Sequence, residues 1–202
     1  MKINRWWIGI ALLPLLLWPS HSAHTQATSN MRMASAMASS SQPVTFYITI
    51  KGARQGVFKG ELPGANRRDQ IAGLRFSFQG TAPHDTATGQ ASGKRLYSVV
   101  LFTKEWGAAS PQLLTGMATN EVLQTVDFEF VRIDPLGKEN VFETVRLTQA
   151  TITSLRQYLG VPGAGDPADP RPLEDVSLTF RKIEITNNEG KTAFSDDWNA
   201  MP

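Results

Sequence analysis

The sequence predicts an all-β fold: a closed β-barrel of antiparallel strands with one short α-helix, at about residues 111–119, and a long early loop. Three observations predict it. Apolar residues alternate with polar ones at period two in several short runs, which is how half-buried strands read. Two such runs flank Asp134-Pro135-Leu136-Gly137, a turn sequence that makes them a hairpin. The last strand switches parity midway, as a β-bulge would require, and bulges supply the bending that closure of a sheet demands.

Each element follows from its residues. Phe46, Ile48 and Ile50 alternate with Tyr47, Thr49 and Lys51 in the first strand. Ala53 to Gln70 is the early loop, with Gly56, Gly60, Pro63 and Gly64 as breakers and Arg54, Arg67 and Arg68 as its arginines. Leu74, Phe76 and Phe78 alternate with Arg75, Ser77 and Gln79 in a second strand, and Leu96 to Phe102 is apolar at both parities, as a strand covered on both faces would be. Ser110 is placed to cap a helix that starts at Pro111, where a missing N–H costs nothing. Leu113, Leu114 and Met117 share one face of that helix. So short a helix is held by packing, and plugging the open end of a barrel provides it. Val126, Phe128 and Phe130 form the outgoing strand of the hairpin, and Val145 and Leu147 lie on the return strand. Gly160 to Pro172 is a loop rich in Gly, Pro and Asp. Val176, Leu178 and Phe180 have one parity and Ile183 and Ile185 the other; one extra residue near Arg181-Lys182 puts all five on the same face.

With 202 residues the chain suits one domain with a real core. Lys2 and Arg5 precede a mostly apolar run from Trp6 to Trp18, and Thr25-Gln26-Ala27 fits a small-x-small cleavage site. That order predicts a signal peptide at 1–27, since the apolar run is shorter than the roughly 20 residues of a membrane span. A flexible tether follows at 28–42, the β-barrel domain at 43–190 and a C-terminal tail at 191–202. Export through the leader places the protein in the periplasm or outside the cell; cytoplasmic assembly followed by secretion is the alternative if the leader does not function. Lys2 and Arg5 depart with the leader, and the remaining chain balances its 18 acidic residues with equal basic charge. Such a chain gives no electrostatic case for nucleic acid or for an anionic membrane as partner.

The residues offer little chemistry. Absent cysteine excludes disulfides, thiolate metal sites and a cysteine nucleophile. His21 and His24 fall in the leader, so His84 is the one histidine left, in the loop-like Pro83-His84-Asp85-Thr86. No G-x-S-x-G elbow is present. Asp127 and Glu129 lie two apart on the solvent face of one strand, a pattern that a solvated face explains better than paired glycosidase carboxylates. Gly163-Ala164-Gly165 lacks the lysine of a phosphate cradle. Asp166, Asp169, Asp196 and Asp197 lack EF-hand spacing for calcium. The sequence thus names no catalytic residue, no metal and no cofactor, and reads as a protein that is not an enzyme.

Thr88-Gly89-Gln90-Ala91-Ser92-Gly93-Lys94, then Phe102-Thr103-Lys104 with Ala109-Ser110-Pro111-Gln112-Leu113, then Glu174 to Glu184 occur in the order and spacing of motifs of the Hcp family, the tube proteins of type VI secretion systems. Phe46 to Gly52 fits that family's first strand more loosely. The resemblance runs over residues 44–186. It implies a β-barrel subunit, a homohexameric ring, stacking of rings into a tube inside a contractile sheath, a tip, and effector proteins carried in the lumen. It also implies that a long loop between early strands helps rings touch, which makes Arg54, Arg67 and Arg68 candidates for ring stacking. The leader departs from the family pattern, because the tube assembles in the cytoplasm. An exported barrel that works as a binding module outside any contractile machine is therefore the second reading.

Overall fold

A computed structural model describes residues 45–62, 67–134, 136–159 and 171–199. The leader, the tether, the Gly163-Ala164-Gly165 fragment, Asp166 and Asp169 lie outside those residues. The elements are β1 (Thr45–Gly52), β2 (Gly56–Val57), β3 (Ile71–Gly73), β4 (Arg75–Ser77), β5 (Gly80–Thr81), β6 (Leu96–Tyr97), β7 (Val100–Glu105), α1 (Ser110–Ala118), β8 (Leu123–Ile133), β9 (Glu139–Leu159), β10 (Pro172–Thr179), β11 (Lys182–Asn187) and β12 (Thr192–Asp197). Every pairing between named strands is antiparallel, in the order β2-β1-β8-β9-β10-β7-β4, with β11 on β9 and β12 on β11.

The long β9 is the spine. Its first part pairs with β8 on one edge and β11 on the other; its last part, from Thr151 onward, pairs with β10. Alternation works as the sequence predicts: Phe46, Ile48 and Ile50 of β1 and Val126 and Phe128 of β8 are buried. Phe46, Phe76, Phe102, Phe128 and Phe130 form an aromatic centre with ring centroids 5.0–6.4 Å apart. The β8–β9 turn is built as expected. Asp134 and Lys138 share a backbone bond of 2.9 Å, the Asp134 carboxylate accepts the N–H groups of Leu136 and Lys138, and Gly137 takes a φ of 80°. The bulge expected near Arg181-Lys182 is not there: the pairing with β9 keeps one register from Thr179 with Thr151 to Lys182 with Thr148, and the register shift lies earlier, between Ser177 and Leu178. The parity change falls instead at the break between β10 and β11, where the Arg181 N–H lies 3.2 Å from both Thr148 O and Gln149 O, and Val176, Leu178, Phe180 and Ile183 are all buried while Ile185 packs against them.

Closure is where the expectation fails: no sheet closes into a barrel. The segment read as one strand through Leu74, Phe76 and Phe78 is two short ones. β3 lies on β1 with Ile71 and Gly73 inward; β4 lies on β7, and there Phe76 packs inward. That is a change of parity, and Leu74 absorbs it. Its N–H reaches Thr103 O at 2.8 Å while its side chain is left 43% exposed. The two ends of the strand order therefore meet through a break instead of a continuous ladder.

Two further readings change. Leu96 to Phe102 is not one doubly covered strand. Residues 79–98 leave the sheet as an exposed two-stranded arm, β5 on β6, with Leu96 and Val99 open to solvent. His84 bridges Ala91 further out, and Asp85 makes the tip by accepting from the N–H groups of Ala87 and Thr88 and from the Thr88 hydroxyl. The arm's base is fixed by residues that fall in the segment assigned to the tail. Arg95 grips the Asp196 carboxylate with two nitrogens, Tyr97 donates to the same carboxylate, and Trp198 packs edge-on against Tyr97 at 5.7 Å. Residues 192–197 form β12.

Candidate functional site

Two strand ends and a helix start build the most constrained polar site of the domain. Lys104 is the even-numbered neighbour of Val100 and Phe102 on β7, and Glu174 shares the parity of Val176 and Leu178 on β10, so both point inward. Both are wholly buried. Charges that deep must be paired, and Lys104 Nζ lies 3.0 Å from Glu174 Oε1. The ammonium also donates to Glu105 O at 2.7 Å and to Ser110 Oγ at 3.3 Å. Ser110 donates in turn to Glu174 Oε1 at 2.8 Å and accepts the Gly107 N–H at 3.0 Å; Gln157 supplies Glu174 Oε2 at 2.8 Å. Ser110 is therefore not the helix cap that the sequence suggests. The N-cap is Ala109, without a side-chain bond, and the Ser110 hydroxyl is spent on the buried pair. Leu114, expected on the packed face with Leu113 and Met117, is partly exposed, while Gly116 is buried. Lys104, Ser110 and Glu174 come from the stretches that carry the family resemblance, which here become one structural joint between β7, β10 and α1.

Beside this joint the surface opens into a hollow of about 200 Å³ lined by Glu61, Ala72, Leu74, Glu105 and Trp106. Glu61 arrives from the early loop and accepts from Lys104 at 3.5 Å and from the Ala109 N–H at 3.3 Å. Gly107 makes room for it, since a Cβ there would sit 2.1 Å from Glu61 Oε1. Trp106 donates its indole N–H to Leu173 O at 2.8 Å and leaves its ring 44% exposed.

The loop arginines divide. Arg54 donates to Thr119 O at 3.0 Å and to Thr119 Oγ1 at 2.7 Å. Arg67 lies over the Tyr47 ring at 4.1 Å and pairs with Glu129 at 3.0 Å and Glu139 at 2.6 Å. Arg68 is exposed. The loop's start is held by Glu121, missed in the sequence, whose buried carboxylate accepts the N–H groups of Arg54 at 2.6 Å and Gln55 at 2.9 Å. Asp127 pairs with Arg146 at 2.5 Å, so both carboxylates of the β8 face are engaged by arginines. Asp196 serves Arg95, Asp197 lies 3.5 Å from Arg181, and His84 stands on the arm. Among the described residues no group of three or more His, Cys, Asp or Glu is placed to hold a metal.

These contacts set the acid limit of the fold. Arg67 lowers the pKa of Glu139 by hydrogen bond and charge, and Arg95 does the same for Asp196. Burial pushes Glu121 up, but the Gln55 and Arg54 N–H groups outweigh it and the net shift is downward. A carboxylate with a lowered folded pKa contributes stability that is complete above its unfolded value, near 4, and is lost as pH falls through the folded value. Urea midpoints are expected to hold from pH 7 to about 5 and then fall as these three groups protonate; a midpoint flat to pH 3 would contradict the assignment.

Comparison with known proteins places these features. Residues 47–186 match the family described as "Type VI secretion system effector, Hcp". Over 163 residues the chain is 30% identical to the "Major exported protein" of Pseudomonas aeruginosa, covering 75% of this chain and 94% of that protein. Among solved structures, one of an Hcp protein superposes with a TM-score of 0.69 at 26% identity, over 78% of this chain and 99% of the other. A mutant form of Hcp1 from E. coli EAEC 042 gives a TM-score of 0.67 at 25% identity, over 76% and 98%.

Proposed function

Because the chain belongs to the Hcp family of type VI secretion proteins, we propose that it works as the subunit of a six-membered ring, that its rings stack into a tube, and that the lumen shelters effector proteins. The observation that carries this reading is the pair of features at opposite ends of the β4–β7 ladder: a projecting arm at one end, and at the other an open hollow walled by the early loop. A stack of identical rings needs two different surfaces, one per face, because its contacts are head-to-tail. Exposed strand edges, β12 above all, provide edges that neighbours within a ring would satisfy.

Arg68 is the loop arginine proposed to touch the next ring, and Arg54 and Arg67 hold the loop that presents it. Sheath and tip proteins are the further partners on this reading, and export of the tube is its outcome. A second reading has one observation in its favour, the leader-like sequence at 1–27: an exported Hcp-like binding module with no contractile machine.

Light scattering and negative-stain imaging of the purified chain separate the two. A six-subunit annulus is expected. A monomer at every concentration would overturn the ring and leave the binding module. In the same assay Arg68→Glu is expected to leave single rings intact and weaken their stacking, whereas stacking equal to that of the parent chain would remove Arg68 from the contact.

A further inference from the structure

A second hollow, of about 440 Å³, opens where three segments meet. They are Tyr97 to Val99 at the base of the arm, Thr179 to Arg181 at the break between β10 and β11, and the two residues that follow β12, Trp198 and Asn199. That volume is in the range of sites for small organic molecules.

Its walls are aromatic. Phe180 is buried, Tyr97 packs against the core, and Trp198 is left 47% exposed. The Tyr97 centroid lies 6.1 Å from that of Phe180 and 5.7 Å from that of Trp198, whose plane stands at 86° to it. Rings set at an angle offer an entering flat ring both a face and an edge to pack on. Val99, also partly exposed, adds an aliphatic side.

The polar lining has donors to give and its hydroxyls are already engaged. The Tyr97 hydroxyl donates to Asp196. The Ser98 hydroxyl donates to Val99 O and accepts the Gln79 N–H, and the Thr179 hydroxyl is shared with Thr151. Two N–H donors remain unused among the described residues. The Trp106 indole donates to Leu173 O, but the Trp198 indole N–H has no such partner. Arg181 uses Nη1 on Gln149 Oε1 at 3.1 Å and leaves Nη2 without a partner. Its Nε stands 3.5 Å from Asp197 Oδ1, beyond ordinary hydrogen-bond range, and that oxygen already accepts the Asn199 N–H at 2.8 Å. Arg67, by contrast, holds a carboxylate at 2.6 Å.

A guanidinium with an open edge, beside an indole N–H, suits a carboxylate. A cation would meet Arg181 and find no open acid, since Arg95 and Tyr97 hold Asp196 and Asp197 serves its own turn. We propose that this hollow binds a small aromatic carboxylate. The ring packs among Tyr97, Phe180 and Trp198, and the carboxylate accepts from Arg181 and from the Trp198 indole. The site stands apart from the ring reading and needs no partner subunit.

The test is calorimetric titration of the purified full chain with indole-3-acetate and with indole-3-acetamide, which keeps the ring and removes the charge. Saturable binding of the acid is expected, at least about tenfold tighter than that of the amide, the weight of one charge-assisted hydrogen bond. Arg181→Gln is expected to erase that advantage while leaving the amide's affinity as it was. Trp198→Phe keeps an aromatic wall and should weaken the acid by about threefold, through the lost N–H. No binding of the acid at millimolar concentration, or equal binding of acid and amide by the parent chain, would overturn the site without recourse to any variant. Loss of both ligands alike in Arg181→Gln would assign the arginine to packing and overturn the carboxylate contact. The ring reading is decided separately, by light scattering.

Discussion

Lys104→Met is expected to destabilise the domain by about 3–5 kcal/mol, because it strands Glu174 as a buried charge with only Ser110 and Gln157 as donors. At roughly 2–4 °C per kcal/mol for a domain of this size, the melting temperature should fall by about 6–20 °C. The informative comparison is the pair. Lys104→Met with Glu174→Leu removes both charges, and apolar replacement of a whole buried pair is often neutral. The double variant is expected to recover most of the loss in urea titrations. If it proves as unstable as Lys104→Met, the pair is not the source of the cost, and packing at the β7–β10–α1 joint is. Ser110→Ala should cost less, about 1–3 kcal/mol, since Glu174 loses one donor and keeps its cation.

The second large effect lies in the aromatic centre. Phe128 is wholly buried, with Phe76 at 5.0 Å, Phe102 at 5.7 Å and Phe46 at 6.4 Å. Those rings stand on β4, β7 and β1, so the side chain of β8 bridges both ends of the strand order across its break. Phe128→Ala is expected to cost about 3–5 kcal/mol, from lost burial and from a cavity that rigid strands cannot fill. Phe128→Leu should cost markedly less. A loss below about 1 kcal/mol in Phe128→Ala would mean the rings close over the gap and the centre is plastic.

Much of this architecture is written in local alternation. The parity of Phe46, Ile48, Ile50, Val126 and Phe128 and the turn at Asp134 translate directly into burial and a hairpin, whereas the parity switch near Arg181 is met by a break between two strands and not by an extra residue. The polar joint was legible by the same rule but easily passed over. Lys104 and Glu174 each occupy an inward position of an otherwise apolar strand face, and opposite charges at two such positions signal a buried pair. Ser110 misleads because capping is a local preference, and a tertiary partner outbid it. The arm leaves no periodic trace, since Ala, Ser, Thr and Gly residues carry no apolar face to read. The missing closure turns on Leu74, where one residue changes partner strand; nothing in its own identity announces that.

β9 gives the two halves of the domain a shared fate. Its 21 residues pair with β8 and β11 in the first part and with β10 in the last, so no cut between the β1–β8 half and the β10–β7 half avoids this strand's ladders. Neither half is an independent foldon, and amide exchange along β9 should be governed by one opening of the whole domain. A subunit threaded this way is expected to melt in a single step and not to shed one half while keeping the other.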